Sequence, residues 1–296
     1  ASFWSRPGLV IKPLKIRLTR GETVAFALTK WIFCVFLVYW AHDHNFDGYW
    51  SPTKEAAMSE LGVQGIKMSE RWARAFGQAA VFLLSLLMFA ASRNCVLHHL
   101  LGTSWEYFLW VHRALGYLML LATIGHVGFW YWRYDQKGIF PSAVVTIPTN
   151  LPSSMDNFTV PLISFATLLL LISMGLLSYD QIRRKHFELF YHSHLFAAYV
   201  FLPAVLWHAA AGWEYLMPGV SVWVLDRLTR MYRSSAPVTV LSAIAHPGKQ
   251  ITELNFVVDG MTSDNVLPGQ YVFVKVSEIS IFEWHPFTVS RINKKK

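Results

Sequence analysis

An all-α bundle of six transmembrane helices, followed by the beginning of a β-domain, is the fold class this sequence predicts. Three observations lead to it. Of the 296 residues, 54% are apolar and only 15% are charged, and the mean hydropathy of +0.33 is high for a chain that folds in water. The apolar residues gather in runs close to the ~20 residues that a helix needs to cross a ~30 Å hydrocarbon core. Beyond Arg233 the runs shorten and take on a β-type pattern.

The spans are read in order. The first covers residues 22–41 and carries Lys30; the second covers 73–91; the third, 105–132, is long enough to tilt. The fourth and fifth cover 160–179 and 189–211. The sixth, 213–225, is short and contains Pro218 and Gly219. None resembles a cleavable signal peptide. After them, β-type runs at 238–244, 251–258 and 270–276 are separated by His246-Pro247-Gly248 and Pro268-Gly269. The expected division is therefore a membrane domain at 1–233 and a β-domain at 234–296. The second part is too short for a closed barrel with a nucleotide-binding partner, and with no glycine after Gly269 it has no Gly-rich turn for a dinucleotide pyrophosphate.

The net charge of +8 does not point to nucleic acid, because the basic residues sit at the ends of the apolar runs. Arg6, Lys12, Lys15, Arg17 and Arg20 precede the first span, Arg183, Arg184 and Lys185 join the fourth to the fifth, and Arg227, Arg230 and Arg233 follow the sixth. Six spans put these segments on one side, which the positive-inside bias makes cytoplasmic. Asp43, Asp47, Glu55, Glu60 and Glu70 then lie outside. Cys34 falls in a span and Cys95 on the cytoplasmic side, so no disulfide is expected.

Four of the twelve histidines form two pairs of equal spacing, His112 with His126 and His194 with His208, in the third and fifth spans. Fourteen residues are just under four helical turns, so both rings of a pair leave nearly one face, roughly 21 Å apart. Polar side chains at membrane depth are costly and tend to be functional, and paired imidazoles suit the axial positions of low-spin haem. Both spans run from inside to outside. His112 is therefore expected to meet His194 around an inner haem iron, and His126 to meet His208 around an outer one. His192 lies sixteen residues before His208, about 160° off the shared face. His98 is cut off from His112 by Gly102-Thr103-Ser104, and Asp180 occupies the matching place before His194. His42 and His44 belong to the acidic outer loop, His186 precedes a helix start, and His246 and His285 fall in the β-domain. Arg74, Arg93 and Arg113 are candidate partners for haem propionates.

These residues carry a family resemblance. Arg93-Asn94, Gly102-Thr103-Ser104-Trp105-Glu106, and His112-Arg113 with Gly116 and His126 resemble the second and third spans of ferric reductases, in the superfamily shared with NADPH oxidases. Phe187-Glu188-Leu189-Phe190 before His194, Trp223-Val224-Leu225-Asp226-Arg227 with Arg230 and Arg233, and Leu267-Pro268-Gly269-Gln270-Tyr271 are similar to its fifth span, sixth-span exit and flavin-domain strand. His285-Pro286-Phe287-Thr288 resembles its FAD signature. The resemblance implies a ferric reductase-like transmembrane domain holding two haem b, then the N-terminal part of a β-barrel FAD-binding domain, with FAD received at His285, Pro286, Phe287 and Thr288. It also implies NADPH, bound by a domain not in this chain.

One departure concerns the acceptor. Superoxide-forming members place a His one turn beyond the outer ligand, paired with an Arg heading the second span; Arg74 fits, but the residue four beyond His126 is Trp130. An indole cannot donate a proton as an imidazolium can, so the expected acceptor is an external ferric or cupric chelate rather than O₂. The expected protein is an NAD(P)H-dependent ferric-chelate reductase of the plasma membrane, with N-terminus and FAD domain cytoplasmic and lipid as its surroundings. A superoxide-producing oxidase core is the alternative, and a quinol-linked cytochrome b subunit a more distant one. Homo-oligomers and auxiliary membrane subunits stay open.

Overall fold

A computed structural model of the chain describes residues 7–11, 16–42, 68–95, 105–145, 161–208, 212–234, 238–249, 251–258, 270–276, 278 and 284–290. His98, His44, the Gly102-Thr103-Ser104 turn, most of the acidic outer loop, Arg6, Lys12, Lys15 and Leu267-Pro268-Gly269 lie outside these residues, as does the side chain of His42. Two compact units are present, Ala1–Asp226 and Arg227–Lys296.

The first unit opens on an antiparallel hairpin of β1 (Pro7–Ile11) and β2 (Ile16–Thr19), in which Val10 lies opposite Arg17 and Ile11 opposite Ile16. The basic residues of this segment had suggested only a charged approach to the first span; its β-branched residues pair instead. Helix α1 (Arg20–His42) follows, then α2 (Met68–Ala91), α3 (Trp105–Gln136), the single turn α4 (Ser142–Val145), α5 (Pro161–Leu177), α6 (Asp180–Lys185) and α7 (Phe187–His208). A π-turn over Gly212–Leu216 leads into α8 (Met217–Ser234).

Small residues make α2 the central helix. Ala73, Ala75 and Ala79 are almost wholly buried, and without bulky side chains they let neighbouring backbones come close, as helices in lipid require. One turn further along, Val81, Leu83, Leu84, Leu87 and Met88 of α2 join Leu115, Met119 and Ala122 of α3, Leu171 of α5 and Phe201, Leu202 and Val205 of α7 in one core. The outer faces of the same helices are also apolar: Leu121 and Ile124 on α3, Leu169 and Leu176 on α5, and Phe196 and Val200 on α7 are exposed. Helices that are apolar all round belong inside a protein or in a bilayer.

Among the described residues, three helices are long and apolar enough to cross a membrane, at Met68–Ala91, Phe108–Gln136 and Phe187–His208; 27–40 and 163–177 form shorter apolar helices. The region expected as the sixth span runs on to Ser234 and gathers Asp226, Arg227, Arg230 and Arg233 along α8. Up to Asp226 it belongs to the first unit, where Leu216, Val220 and Trp223 pack on the core and two polar contacts hold it. Asp226, 4% exposed, accepts hydrogen bonds from the backbone N–H and the Nδ2 of Asn94 at 2.8 and 2.9 Å. Gly219 donates its N–H to Ser85 Oγ at 3.1 Å. A Cβ on Gly219 would collide with the Ser85 carbonyl and lie 2.8 Å from its Cα, so the α2 backbone itself would have to move. Gly219→Ala is therefore expected to cost about 1–3 kcal/mol, the range for overpacking a tight contact, read as a lower melting temperature in detergent.

The second unit contains two antiparallel ladders among the described residues, β3 (Val238–His246) with β4 (Ile251–Val258), and β5 (Tyr271–Val274) with β6 (His285–Thr288). The β3–β4 connection includes a 3₁₀ turn over Pro247–Lys249. His246 sits 3.7 Å from Glu253 across that ladder.

Candidate functional site

The histidine pairs meet across α3 and α7 as the spacing predicts. The rings of His112 and His194 have their centroids 6.2 Å apart, and those of His126 and His208 are 6.0 Å apart. With metal–imidazole bonds of about 2.0–2.1 Å and each donor nitrogen about 1.1 Å from its ring centre, one metal ion between two trans imidazoles requires about 6.3 Å. Both pairs fit this. Among the described residues no cluster of three or more His, Cys, Asp or Glu could hold a metal ion. Each pair could offer two nitrogen donors to one metal ion, a donor set that would suit a metal whose other positions a macrocycle fills.

Hydrogen bonds fix which nitrogen faces inward. His126 Nδ1 is 2.7 Å from the Ala73 carbonyl, and His112 Nδ1 is 3.3 Å from that of Leu87. A carbonyl only accepts, so in each ring Nδ1 carries the proton and Nε2 presents its lone pair. On α7, His208 Nδ1 lies 3.0 Å from Ser164 Oγ and His194 Nδ1 3.4 Å from Ser178 Oγ. Close approach is what permits the outer geometry. A Cβ on Gly77 would lie 2.7 Å from His126 Nδ1 and 2.9 Å from its Cε1, so only glycine leaves room for the ring against α2. Pro203, between the two histidines of α7, removes the N–H that would bond the Tyr199 carbonyl. His192 stands exposed beside Tyr191, away from both pairs.

In the second unit, β5 and β6 bring two separate motifs into one ladder, with Tyr271 opposite Thr288, Val272 opposite Phe287, Phe273 opposite Pro286 and Val274 opposite His285. The Val289 N–H donates to the Gln270 carbonyl at 2.9 Å. Side chains alternate along a strand, so Thr288 and Pro286 share a face with Tyr271 and Phe273, and His285 and Phe287 share the other. All four residues of β6 are exposed. The four residues expected to receive FAD therefore divide between two faces rather than presenting four side chains together.

Residues 76–205 match the family model described as the ferric reductase like transmembrane component, and residues 233–296 match that of an FAD-binding domain. The chain belongs to the ferric reductase and NADPH oxidase superfamily. It is 31% identical over 234 residues to ferric reduction oxidase 8, mitochondrial, of Arabidopsis thaliana, covering 74% of this chain and 29% of that protein. Against a probable cell surface ferric reductase of Aspergillus oryzae it is 29% identical over 232 residues, 73% of this chain and 29% of the relative. NADPH oxidase 1 of Mus musculus is 21% identical over 353 aligned positions, 93% of this chain and 58% of the oxidase. The chain thus spans about three tenths of the two ferric reductases. In keeping with the family, its first part is a membrane domain and its second an FAD-binding domain.

The three arginines expected near this ferric reductase-like core all have protein partners. Arg74 is bonded to Glu70 at 2.9 Å and lies 5.9 Å from the centre of the Trp130 ring. Glu70 also faces buried Arg133 at 3.5 Å, and nearby Ser69 donates to Gln136 at 3.0 Å, so the ends of α2 and α3 are tied together. Arg93 lies 4.6 Å over Trp105. Arg113 reaches Asp180 at 3.0 Å. That carboxyl is held below its usual range by its hydrogen bond to Arg183 and by the Arg113, Arg183 and Arg184 charges. A depressed carboxyl pKa stabilises the fold at neutral pH, and this contribution is lost as pH falls below the ordinary value near 3.8.

Residues that sequence alone had not marked are the Ala73 and Leu87 carbonyls, Ser164, Ser178 and Gly77. A signal was present: Ala73 and Leu87, like Ser164 and Ser178, are fourteen residues apart, the spacing of the histidines. Asn94 and Asp226, quoted in separate motifs, form one contact.

Proposed function

We propose that this chain moves electrons across a membrane to an external ferric or cupric chelate, as a metalloreductase. In this reading His112 and His194 hold an inner b-type haem, His126 and His208 hold an outer one, and the Tyr271 and Thr288 ladder receives FAD. Haem supplies one-electron exchange and FAD the step from a hydride to single electrons, with NADPH bound by protein outside residues 1–296. The observation that carries the reading is the pair geometry: two facing imidazole pairs at 6.2 and 6.0 Å, fourteen residues apart in sequence, with every Nδ1 engaged from outside.

The protein's own residues have defined tasks. The four histidines orient their Nε2 atoms inward. Gly77 makes space for His126, and Thr288 offers its hydroxyl, with the β6 backbone, to the flavin and its ribityl-phosphate chain. Arg74, Arg93 and Arg113 supply positive charge for propionates while keeping the partners described above. We place the N-terminus and the FAD domain on the cytoplasmic side of the plasma membrane; homo-oligomers and auxiliary subunits are compatible with this.

A superoxide-producing oxidase core is the second reading, favoured by Arg74 and by the similarity to NADPH oxidase 1. Against it, Arg74 stands against the Trp130 indole, which has no acidic proton to give. Anaerobic reduction of the full-length protein with NADPH, followed by competing ferric chelate and O₂ as reoxidants, tests the choice. Faster reoxidation by chelate, retained in Arg74→Ala, is the expected result. Superoxide as the main product, abolished by Arg74→Ala, would establish the oxidase instead.

A further inference from the structure

The hydroxyl groups of the α5 segment behave in two ways. Thr167 and Ser173 bond their own helix, at the Ile163 carbonyl (2.7 Å) and the Leu170 carbonyl (2.7 Å), as hydroxyls in membrane helices commonly do. Ser164 and Ser178 also reach across to α7, to His208 Nδ1 at 3.0 Å and His194 Nδ1 at 3.4 Å. Ser178 has already given its proton to the Met174 carbonyl at 2.6 Å, so toward His194 it can only accept. Each pair therefore meets one backbone carbonyl on α2 and one serine on the other side. Carbonyls are present whatever the side chain; the serines are a choice of sequence.

Resting on the bis-histidine reading above, we propose that Ser164 and Ser178 are positioning residues that accept the Nδ1 protons of His208 and His194 and thereby set ligand basicity and reduction potential at the two iron sites. An imidazole that donates from Nδ1 to an acceptor is a stronger donor at Nε2, is held in one tautomer and ring orientation, and favours the oxidised metal. Removing the acceptor weakens that preference. The shorter contact makes Ser164 the stronger of the two, so the outer site responds more.

The test is potentiometric titration of the full-length membrane protein, followed at the haem α band, for Ser164→Ala, Ser178→Ala and the matching threonine variants. Ser164→Ala is expected to keep both haems and to lower the preference for the ferric state about tenfold at one site, an upward shift of about 59 mV for a one-electron couple. Ser178→Ala shifts the other site by less, and threonine, which restores the hydroxyl, returns each value toward that of the unsubstituted protein. Loss of one haem in the alanine variant but not in the threonine variant also supports hydroxyl positioning. Unchanged midpoints in both alanine variants, or haem loss in alanine and threonine variants alike, overturn this inference alone. An unsubstituted protein without a low-spin bis-histidine spectrum overturns the haem assignment and this inference with it.

Discussion

His208→Ala is expected to lose about half of the haem α-band absorbance while the inner site keeps its spectrum. The reason is geometric. His208 faces His126 at 6.0 Å and has no other ring in that pair to replace it, whereas His112 and His194 form a separate set just under four helical turns away. With one imidazole left, the outer pair would offer a haem a single nitrogen donor, and the low-spin spectrum that two histidine donors would give is expected to be lost. His126→Ala should give the same spectrum as His208→Ala, and His112→Ala and His194→Ala a matching pair of their own. His192→Ala, exposed beside Tyr191, should change nothing. Absorbance and pyridine haemochrome quantitation of the purified variants check this. A His208 variant with both haems and undiminished electron transfer would sink the assignment.

Gly77→Val is expected to remove the outer haem as effectively as loss of a ligand, with both histidines left in the sequence. A Cβ at this position would stand 2.7 Å from His126 Nδ1, within the space of the bond that the ring makes to the Ala73 carbonyl. The ring must swing out, which breaks that hydrogen bond and turns Nε2 away from His208. Valine adds two further carbons beside the clash, so small adjustments cannot absorb it, and overpacking of about 1–3 kcal/mol accompanies the displacement. Gly77→Ala should show a milder form of the same loss. The inner site, held from Leu87 and Ser178, keeps its spectrum in both. Outer haem occupancy equal to that of the unsubstituted protein in Gly77→Val would show that the ring does not depend on this approach.

Much of the frame was legible because its signals are local. Helix periodicity placed His112 with His126 and His194 with His208, and the same phase argument set His192 apart. The β3 and β4 runs could be read from alternation and from the Pro247-Gly248 turn, since strand pattern and turn chemistry are short-range properties. The N-terminal hairpin was missed because its lysines and arginines suggested a topogenic flank, and charge pattern is silent about backbone pairing. The extent of the last helix was not legible for a related reason: residues 213–225 read as a short apolar run, whereas a π-turn over Gly212–Leu216 leads into α8, which continues through Asp226 and three arginines to Ser234, because helix continuity depends on backbone hydrogen bonds rather than on hydropathy.

By itself the sequence determined that there are two pairs of histidines at equal spacing, which helices carry them and which ring of one helix answers which ring of the other; the flavin-type motif that follows was read from a family resemblance. The histidine pairing comes from periodicity and from the order of the spans, which the chain carries in its local pattern. Only the tertiary structure decided how each ligand is held. The Ala73 and Leu87 carbonyls, the hydroxyls of Ser164 and Ser178, the gap at Gly77 and the pairing of Tyr271 with Thr288 involve atoms from segments far apart in the chain. A carbonyl is the same in every residue and a serine on an apolar helix is ordinary until a neighbour comes within 3 Å of it. Distances of that kind are set by how helices cross; the shared fourteen-residue spacing of Ala73 and Leu87 and of Ser164 and Ser178 marks the positions, but no single helix carries the contact.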